Sequence, residues 1–99
     1  MITKKFMKSK PEVQVTFELP GNIEASEAAL VGEFNNWDSA ANPLSKTKGV
    51  WKTTLKLETG KEYQFRYLVN GSEWYNDDAA DKYVANNIDG ENSVLVAMN

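Results

Sequence analysis

Tyr63-Gln64-Phe65-Arg66-Tyr67-Leu68-Val69-Asn70-Gly71 decides the fold. Tyr63, Phe65, Tyr67 and Val69 fall on one face of this stretch, and Gln64, Arg66 and Leu68 on the other. That period of two marks a half-buried strand, which we read over Glu62 to Val69 after a turn at Glu58-Thr59-Gly60-Lys61. Asn70-Gly71 is a strong hairpin signal, because both residues tolerate positive φ. Asn70-Gly71-Ser72 also matches a glycosylation sequon and is read here as a turn only. Loop length then sets the face of Trp74. A two-residue turn pairs Val69 with Ser72 and puts Trp74 on the core side with Tyr67. A three-residue Asn70-Gly71-Ser72 loop pairs Leu68 with Trp74 and puts the indole on the face of Arg66. A slip of one residue exchanges the faces, and the pattern leaves both registers open.

Further strands lie on either side. Glu12 to Leu19 alternates Val13, Val15, Phe17 and Leu19 against Gln14, Thr16 and Glu18, and Pro20-Gly21-Asn22 ends it. Ser26 to Leu30 leads into a strand at Leu30-Val31-Gly32. Val50 to Leu57 sets Trp51, Thr53, Leu55 and Leu57 against Lys52, Thr54 and Lys56, with Trp51 as a core or rim residue. Asn92 to Met98 closes the chain, with Val94, Val96 and Met98 opposite Leu95 and Ala97. Residues 38–49 form a polar connection with Leu44 tucked beneath it. Residues 76–91 read as one long polar loop. Their acidic spacing does not match an EF-hand, so Asx turns are expected there rather than a calcium site. Residues 1–11 carry Lys4, Lys5, Lys8 and Lys10 around Phe6 and Met7. They read as a lysine-guarded edge strand; a basic patch for an acidic partner is the competing reading. The sum is about six or seven short strands and no helix: an all-β, immunoglobulin-like antiparallel β-sandwich of about seven strands, in one domain over residues 1–99.

Composition narrows the function. The chain has no cysteine, hence no disulfide framework, thiol nucleophile or cysteine-ligated metal. It has no histidine, the commonest general base and metal ligand near neutral pH. No cofactor is expected. A net charge of −3 is not the footprint of a nucleic-acid binder. No apolar run reaches the ~18 residues of a membrane span, and the lysine-bearing start lacks the apolar segment of a signal peptide. A cytoplasmic protein without nucleic-acid or membrane partners is expected.

Leu30-Val31-Gly32-Glu33-Phe34-Asn35-Asn36-Trp37 then carries the chemistry. A strand runs into a turn of amides, and Trp37 follows it in polar company. A flat ring flanked by amides suits a ligand that is polar at its edge and apolar on its face, as a sugar ring is. That Trp37 instead folds back to cap the core stays open on this stretch alone.

Three features stand in one order: Val31-Gly32-Glu33-Phe34-Asn35-Asn36-Trp37, then Tyr63 to Gly71 with Trp74 just after, then Gly90-Glu91-Asn92-Ser93-Val94-Leu95-Val96. Together they closely resemble the family-48 carbohydrate-binding modules. These include the glycogen-binding domain of the AMP-activated protein kinase β subunit and the early-set domain of isoamylases and glycogen branching enzymes. The resemblance covers roughly residues 12–98. It implies an early-set sandwich that binds α-1,4-glucan, as polysaccharide or oligosaccharide, on one exposed face. It implies stacking by Trp37 and Trp74, a basic contact at Arg66, an amide contact at Asn92 and an apolar loop residue nearest Ile88. The position of a sugar-contacting threonine falls on Gly90, which has no hydroxyl to offer. Relatives are mostly fused to a catalytic or regulatory partner. This chain leaves no length for one, so a stand-alone, non-catalytic module is expected, with a glycogen-metabolising enzyme as a candidate partner. Two other functions are weighed: a protein-interaction or self-association module that keeps the fold without the sugar, and a glycosidase built on Glu73, Asp77, Asp78, Asp81 and Glu91. Nothing in the pattern provides a cleft for the latter.

Overall fold

The computed structural model describes residues 1–86, 88 and 90–98; Asn87, Asp89 and Asn99, of which the first two belong to the expected polar loop, lie outside the described residues. Nine strands are found among the described residues: β1 (Ile2–Phe6), β2 (Glu12–Glu18), β3 (Ala28–Gly32), β4 (Ser45–Thr47), β5 (Val50–Glu58), β6 (Lys61–Val69), β7 (Glu73–Tyr75), β8 (Lys82–Asn86) and β9 (Gly90–Ala97). They form two antiparallel sheets. One has the order β1-β2-β5-β4; the other has the order β3-β6-β9-β8, with β7 alongside β6. This is the expected all-β sandwich.

Alternation builds the core. Val13, Val15 and Phe17 of β2 point inward and are fully buried, as are Leu30 of β3, Phe65, Tyr67 and Val69 of β6, and Leu95 and Ala97 of β9. The two sheets meet through aromatic edges. The Phe17 and Phe65 rings lie 5.1 Å apart at 72°, and Phe65 and Tyr67 lie 5.8 Å apart at 83°. Such edge-to-face pairs add ~0.5–1.5 kcal/mol each beyond area burial. Leu44 is buried under its connection as expected, and Trp51 is half-buried against the core.

Three readings need correction. The connection over residues 38–49 contains β4, whose Ser45, Lys46 and Thr47 are all exposed. Only its ladder to β5 holds it there, so no apolar period announces it. The long loop over residues 76–91 contains β8, which pairs with β9 from Lys82↔Val94 to Asn86↔Gly90. The closing strand accordingly begins at Gly90, ahead of Asn92. The Asx turns do occur: Asp77 Oδ1 accepts the Ala79 N–H at 2.7 Å, and Asn86 Oδ1 accepts the Ile88 N–H at 2.9 Å.

β1 is an edge strand, but its lysines do not all guard the outside. Lys4 pairs with Val15, on the core face. Its Nζ reaches Asp81 Oδ2 at 2.7 Å and the Val96 carbonyl at 2.9 Å, tying the edge of one sheet to the other. An inward charge of this kind blocks edge-to-edge pairing.

Asp77 is 1% exposed. It accepts the Tyr67 hydroxyl at 2.6 Å and the Met1 amino group at 2.8 Å, and its own N–H donates to Ser93 Oγ at 2.9 Å. Burial, and then the Asp77 carboxylate, push the Tyr67 phenol far above its ordinary value. The unfolded phenol ionises near pH 10 and the folded one does not. Tyr67 therefore contributes stability that is complete below about pH 10 and is lost above it, at about 1.4 kcal/mol per pH unit. Urea unfolding between about pH 9 and 11 should show this loss, and Tyr67→Phe should flatten it. Identical slopes for the two proteins would refute the assignment.

Candidate carbohydrate site

The site begins where β3 ends. Gly32 is extended, and a Cβ there would lie 2.6 Å from the Gln64 carbonyl, 2.7 Å from Phe65 Cβ and 2.9 Å from Phe34 Cζ. Only glycine lets the chain press so closely on β6 and then turn. A 3-10 turn over Glu33–Asn35 follows. Asn35 holds it: its Oδ1 accepts the Gly32 N–H at 3.1 Å, and its Nδ2 donates to the Leu30 carbonyl at 3.0 Å and to Asn42 Oδ1 at 2.8 Å.

This turn separates its two aromatics. Phe34 goes inward, with its ring 5.6 Å from Phe17 and 6.1 Å from Tyr63. Trp37 goes outward and stays 39% exposed. Phe34, not Trp37, plugs the core here. Asn36 and Trp37 both carry left-handed φ, at 55° and 57°. Asparagine accepts this conformation readily, whereas a tryptophan held there costs roughly 1–2 kcal/mol. The Trp37 N–H is fixed on the Gly32 carbonyl at 2.8 Å.

The hairpin takes its three-residue form: Leu68 pairs with Trp74 and Val69 with Glu73. Asn70 and Gly71 have φ of 53° and 74°. The Asn70 amide oxygen accepts the N–H and hydroxyl of Ser26 at 2.8 and 2.9 Å, which pins the loop to the approach of β3. Trp74 therefore shares the outer face of β6 with Arg66. It is 43% exposed, and the guanidinium carbon of Arg66 sits 4.9 Å from its ring centroid. This cation–π contact adds ~0.5–1 kcal/mol at an exposed site and fixes the angle between the two groups.

On that outer face, Glu33, Trp37, Gln64, Arg66, Asn86, Ile88 and Asn92 line one hollow of about 400 Å³. Four of the five residues singled out from sequence thus share a hollow, and the fifth, Trp74, extends it through Arg66. Ile88 stands 91% exposed at the rim. Asn92 lies beneath, 7% exposed, with its amide bonded on both sides: Asn86 Nδ2 donates to its Oδ1 at 3.1 Å, and its Nδ2 donates to Gln64 Oε1 at 3.0 Å. Sequence reasoning missed Glu33, Gln64 and Asn86. The shared face of Gln64 and Arg66 could have given the second, whereas Asn86 sat in a stretch read as loop. A larger hollow of about 660 Å³ beside the hairpin is lined by loop residues with Asn70, Glu73 and Tyr75. It gathers no tryptophan, so size does not choose the site. Two of the carboxylates weighed for hydrolysis are used structurally: Asp77 is buried on Tyr67, and Asp81 is paired with Lys4.

Urea unfolding separates the roles in the turn. Phe34→Ala should cost about 3 kcal/mol through the cavity it leaves. Gly32→Ala should cost ~1–3 kcal/mol through overpacking. Trp37→Ala should stay within ~0.5 kcal/mol of wild type, as an exposed substitution does. A larger loss at Trp37 than at Phe34 would reverse the assignment of plug and platform.

Comparison with known proteins gives the family. The profile of carbohydrate-binding module 48 (isoamylase N-terminal domain) matches residues 12–85. The 1,4-alpha-glucan-branching enzyme of Emericella nidulans is 54% identical over 37 residues, which cover 36% of this chain and 5% of that enzyme. The chloroplastic/amyloplastic 1,4-alpha-glucan-branching enzyme of Oryza sativa subsp. japonica is 36% identical over 58 residues, covering 50% of this chain and 7% of the enzyme. The Aspergillus oryzae enzyme of the same name is 51% identical over 37 residues, again 36% and 5%. The matched stretches thus span only a small part of these relatives. Among the described residues no helix is long and apolar enough to cross a membrane. With most of its length under the family profile, this chain belongs to the carbohydrate-binding module 48 family, a family of binding modules rather than catalytic domains.

Proposed function

We propose that the module binds α-1,4-glucan without catalysing its cleavage, through the hollow between Trp37 and Arg66 and the adjoining Trp74. The observation that carries this reading is the meeting of Trp37, Arg66, Ile88 and Asn92 around one hollow, with Trp74 stacked on Arg66 beside it. The two indoles offer flat apolar platforms to the C–H faces of successive glucose rings. Arg66 donates to hydroxyl oxygens, as do the amides at the floor of the hollow. Ile88, exposed at the rim, packs against the apolar inner curve of a helical glucan. Glucan-branching relatives support the substrate class, and a glycogen-metabolising enzyme is the partner whose substrate such a module would gather. Binding of this kind needs no cofactor, and a cytoplasmic setting goes with this reading.

If each stacked ring contributes ~1–3 kcal/mol, as nucleobases do on aromatic side chains, binding is weak. A Kd on the order of micromolar to millimolar is expected. β-Cyclodextrin titrated against tryptophan fluorescence should give a saturable change, and Trp37→Ala or Trp74→Ala should weaken binding about tenfold or more. A folded wild type that gives no change at millimolar sugar would remove the glucan. It would turn attention to the exposed Trp37, Trp74 and Ile88 as a protein-contact surface, read by self-association in sedimentation.

A further inference from the structure

The amides at the floor of the hollow have a fixed direction. A backbone N–H can only donate, so the Ile88 N–H on Asn86 Oδ1 at 2.9 Å settles which end of Asn86 is oxygen. Asn86 must then present Nδ2 to Asn92, whose Oδ1 accepts it at 3.1 Å. Asn92 must in turn present Nδ2 to Gln64, whose Oε1 accepts it at 3.0 Å. The relay ends there, with the Gln64 Nε2 amino group at the hollow. Among the described residues it meets no acceptor. A donor therefore stands at this point and cannot flip to an acceptor without breaking the whole relay.

An acceptor is fixed next to it. Glu33 Oε1 takes the Gln64 backbone N–H at 2.7 Å, which anchors the carboxylate to the same residue of β6. Its second oxygen takes no hydrogen bond among the described residues, and Glu33 lines the same hollow. One residue of β6 thus holds a fixed donor and a fixed acceptor together.

We propose that Gln64 and Glu33 are the specificity-determining pair of this site, reading a sugar hydroxyl as acceptor and donor at once. The inference rests on the glucan-binding reading above. A hydroxyl accepts from Gln64 Nε2 and donates its own proton to Glu33 Oε2. An ether oxygen satisfies only the amide. A carboxylate or phosphate on the sugar can accept from the amide but meets the Glu33 charge, and like charges in a partly desolvated site are costly. The pair therefore selects neutral pyranoses with free hydroxyls over methylated, uronic or phosphorylated ones. The stacking platforms set how tightly a ring binds; this pair sets which ring.

The test exchanges the two roles. Gln64→Glu keeps the oxygen that receives Asn92 and replaces the free donor by an acceptor. Glu33→Gln keeps an oxygen for the Gln64 N–H and replaces the free acceptor by a donor. Each single variant should bind β-cyclodextrin about tenfold more weakly by calorimetry, the scale of one charge-assisted hydrogen bond. The double exchange, with unchanged net charge and a donor and acceptor again side by side, should recover to within about threefold of wild type. Thermal unfolding of all four proteins controls for folding. The wild-type Gln64 side-chain amide protons should also shift in NMR spectra as sugar saturates, which a purely structural role would not produce. Single variants that bind as wild type does, a double exchange no better than the singles, or unmoved amide resonances at saturation would each overturn the pair while leaving the glucan site standing. A wild type that binds no sugar would instead overturn the glucan reading and this pair with it.

Discussion

The space denied to a side chain at Gly32 governs what surrounds it. The backbone there lies against the Gln64 carbonyl, Phe65 Cβ and the Phe34 ring, at distances that exclude a Cβ. That approach brings the end of β3 onto the middle of β6 and leaves the chain one turn in which to leave the sheet. The turn resolves its two aromatics in opposite directions, because Asn35 closes it and Asn36 carries it into left-handed space. Phe34 completes the core on one side, and Trp37 is delivered to the surface on the other. Interior packing and the candidate site are therefore one construction, and neither can be loosened alone.

β6 makes the same division along its whole length. Its odd-numbered residues from Tyr63 to Val69 supply the core, while Gln64, Arg66 and Leu68 supply the outer face. A strand has only these two faces. With the inner one packed by aromatics against the opposite sheet, the outer one is held as rigidly as the core itself. Side chains that are positioned before a ligand arrives lose little freedom on binding. The Arg66–Trp74 contact and the Asn86–Asn92–Gln64 relay have this character: each is made by side chains of the protein alone.

What the sequence made legible follows from the same geometry. Period-two alternation reported β2, β5 and β6 because one of their faces is buried. It was silent at Ser45–Thr47, where every residue is exposed, and at Lys82–Asn86, which alternates without a clean apolar face. The hairpin register was undecidable from alternation alone because both loops suit Asn-Gly; the family resemblance favours the three-residue form, which is the one found. The deciding contact, Asn70 on Ser26, lies far away in sequence. Trp37 was found from its own stretch of amides, Arg66, Trp74, Asn92 and Ile88 by resemblance, and the hollow that four of them line is visible only in three dimensions. Asp77 does lie on a loop, as read, but its burial was not legible because its partners, Tyr67 and Ser93, come from two strands far from each other in sequence.

Trp37 poses the sharpest energetic question. A tryptophan at φ 57° is placed against its own backbone preference by roughly 1–2 kcal/mol. Glycine or asparagine would sit there at less cost, and the indole is not among the residues packed on the core. The strain is tolerated because Asn35, the Gly32 carbonyl and the core-packed Phe34 over-determine the turn. Strain concentrated on an exposed aromatic is better explained by what the ring meets from outside than by anything it does for the fold. A stacked sugar returning ~1–3 kcal/mol would offset it. On this balance the fold tolerates Trp37, and the proposed sugar stacking would give it a reason to be there.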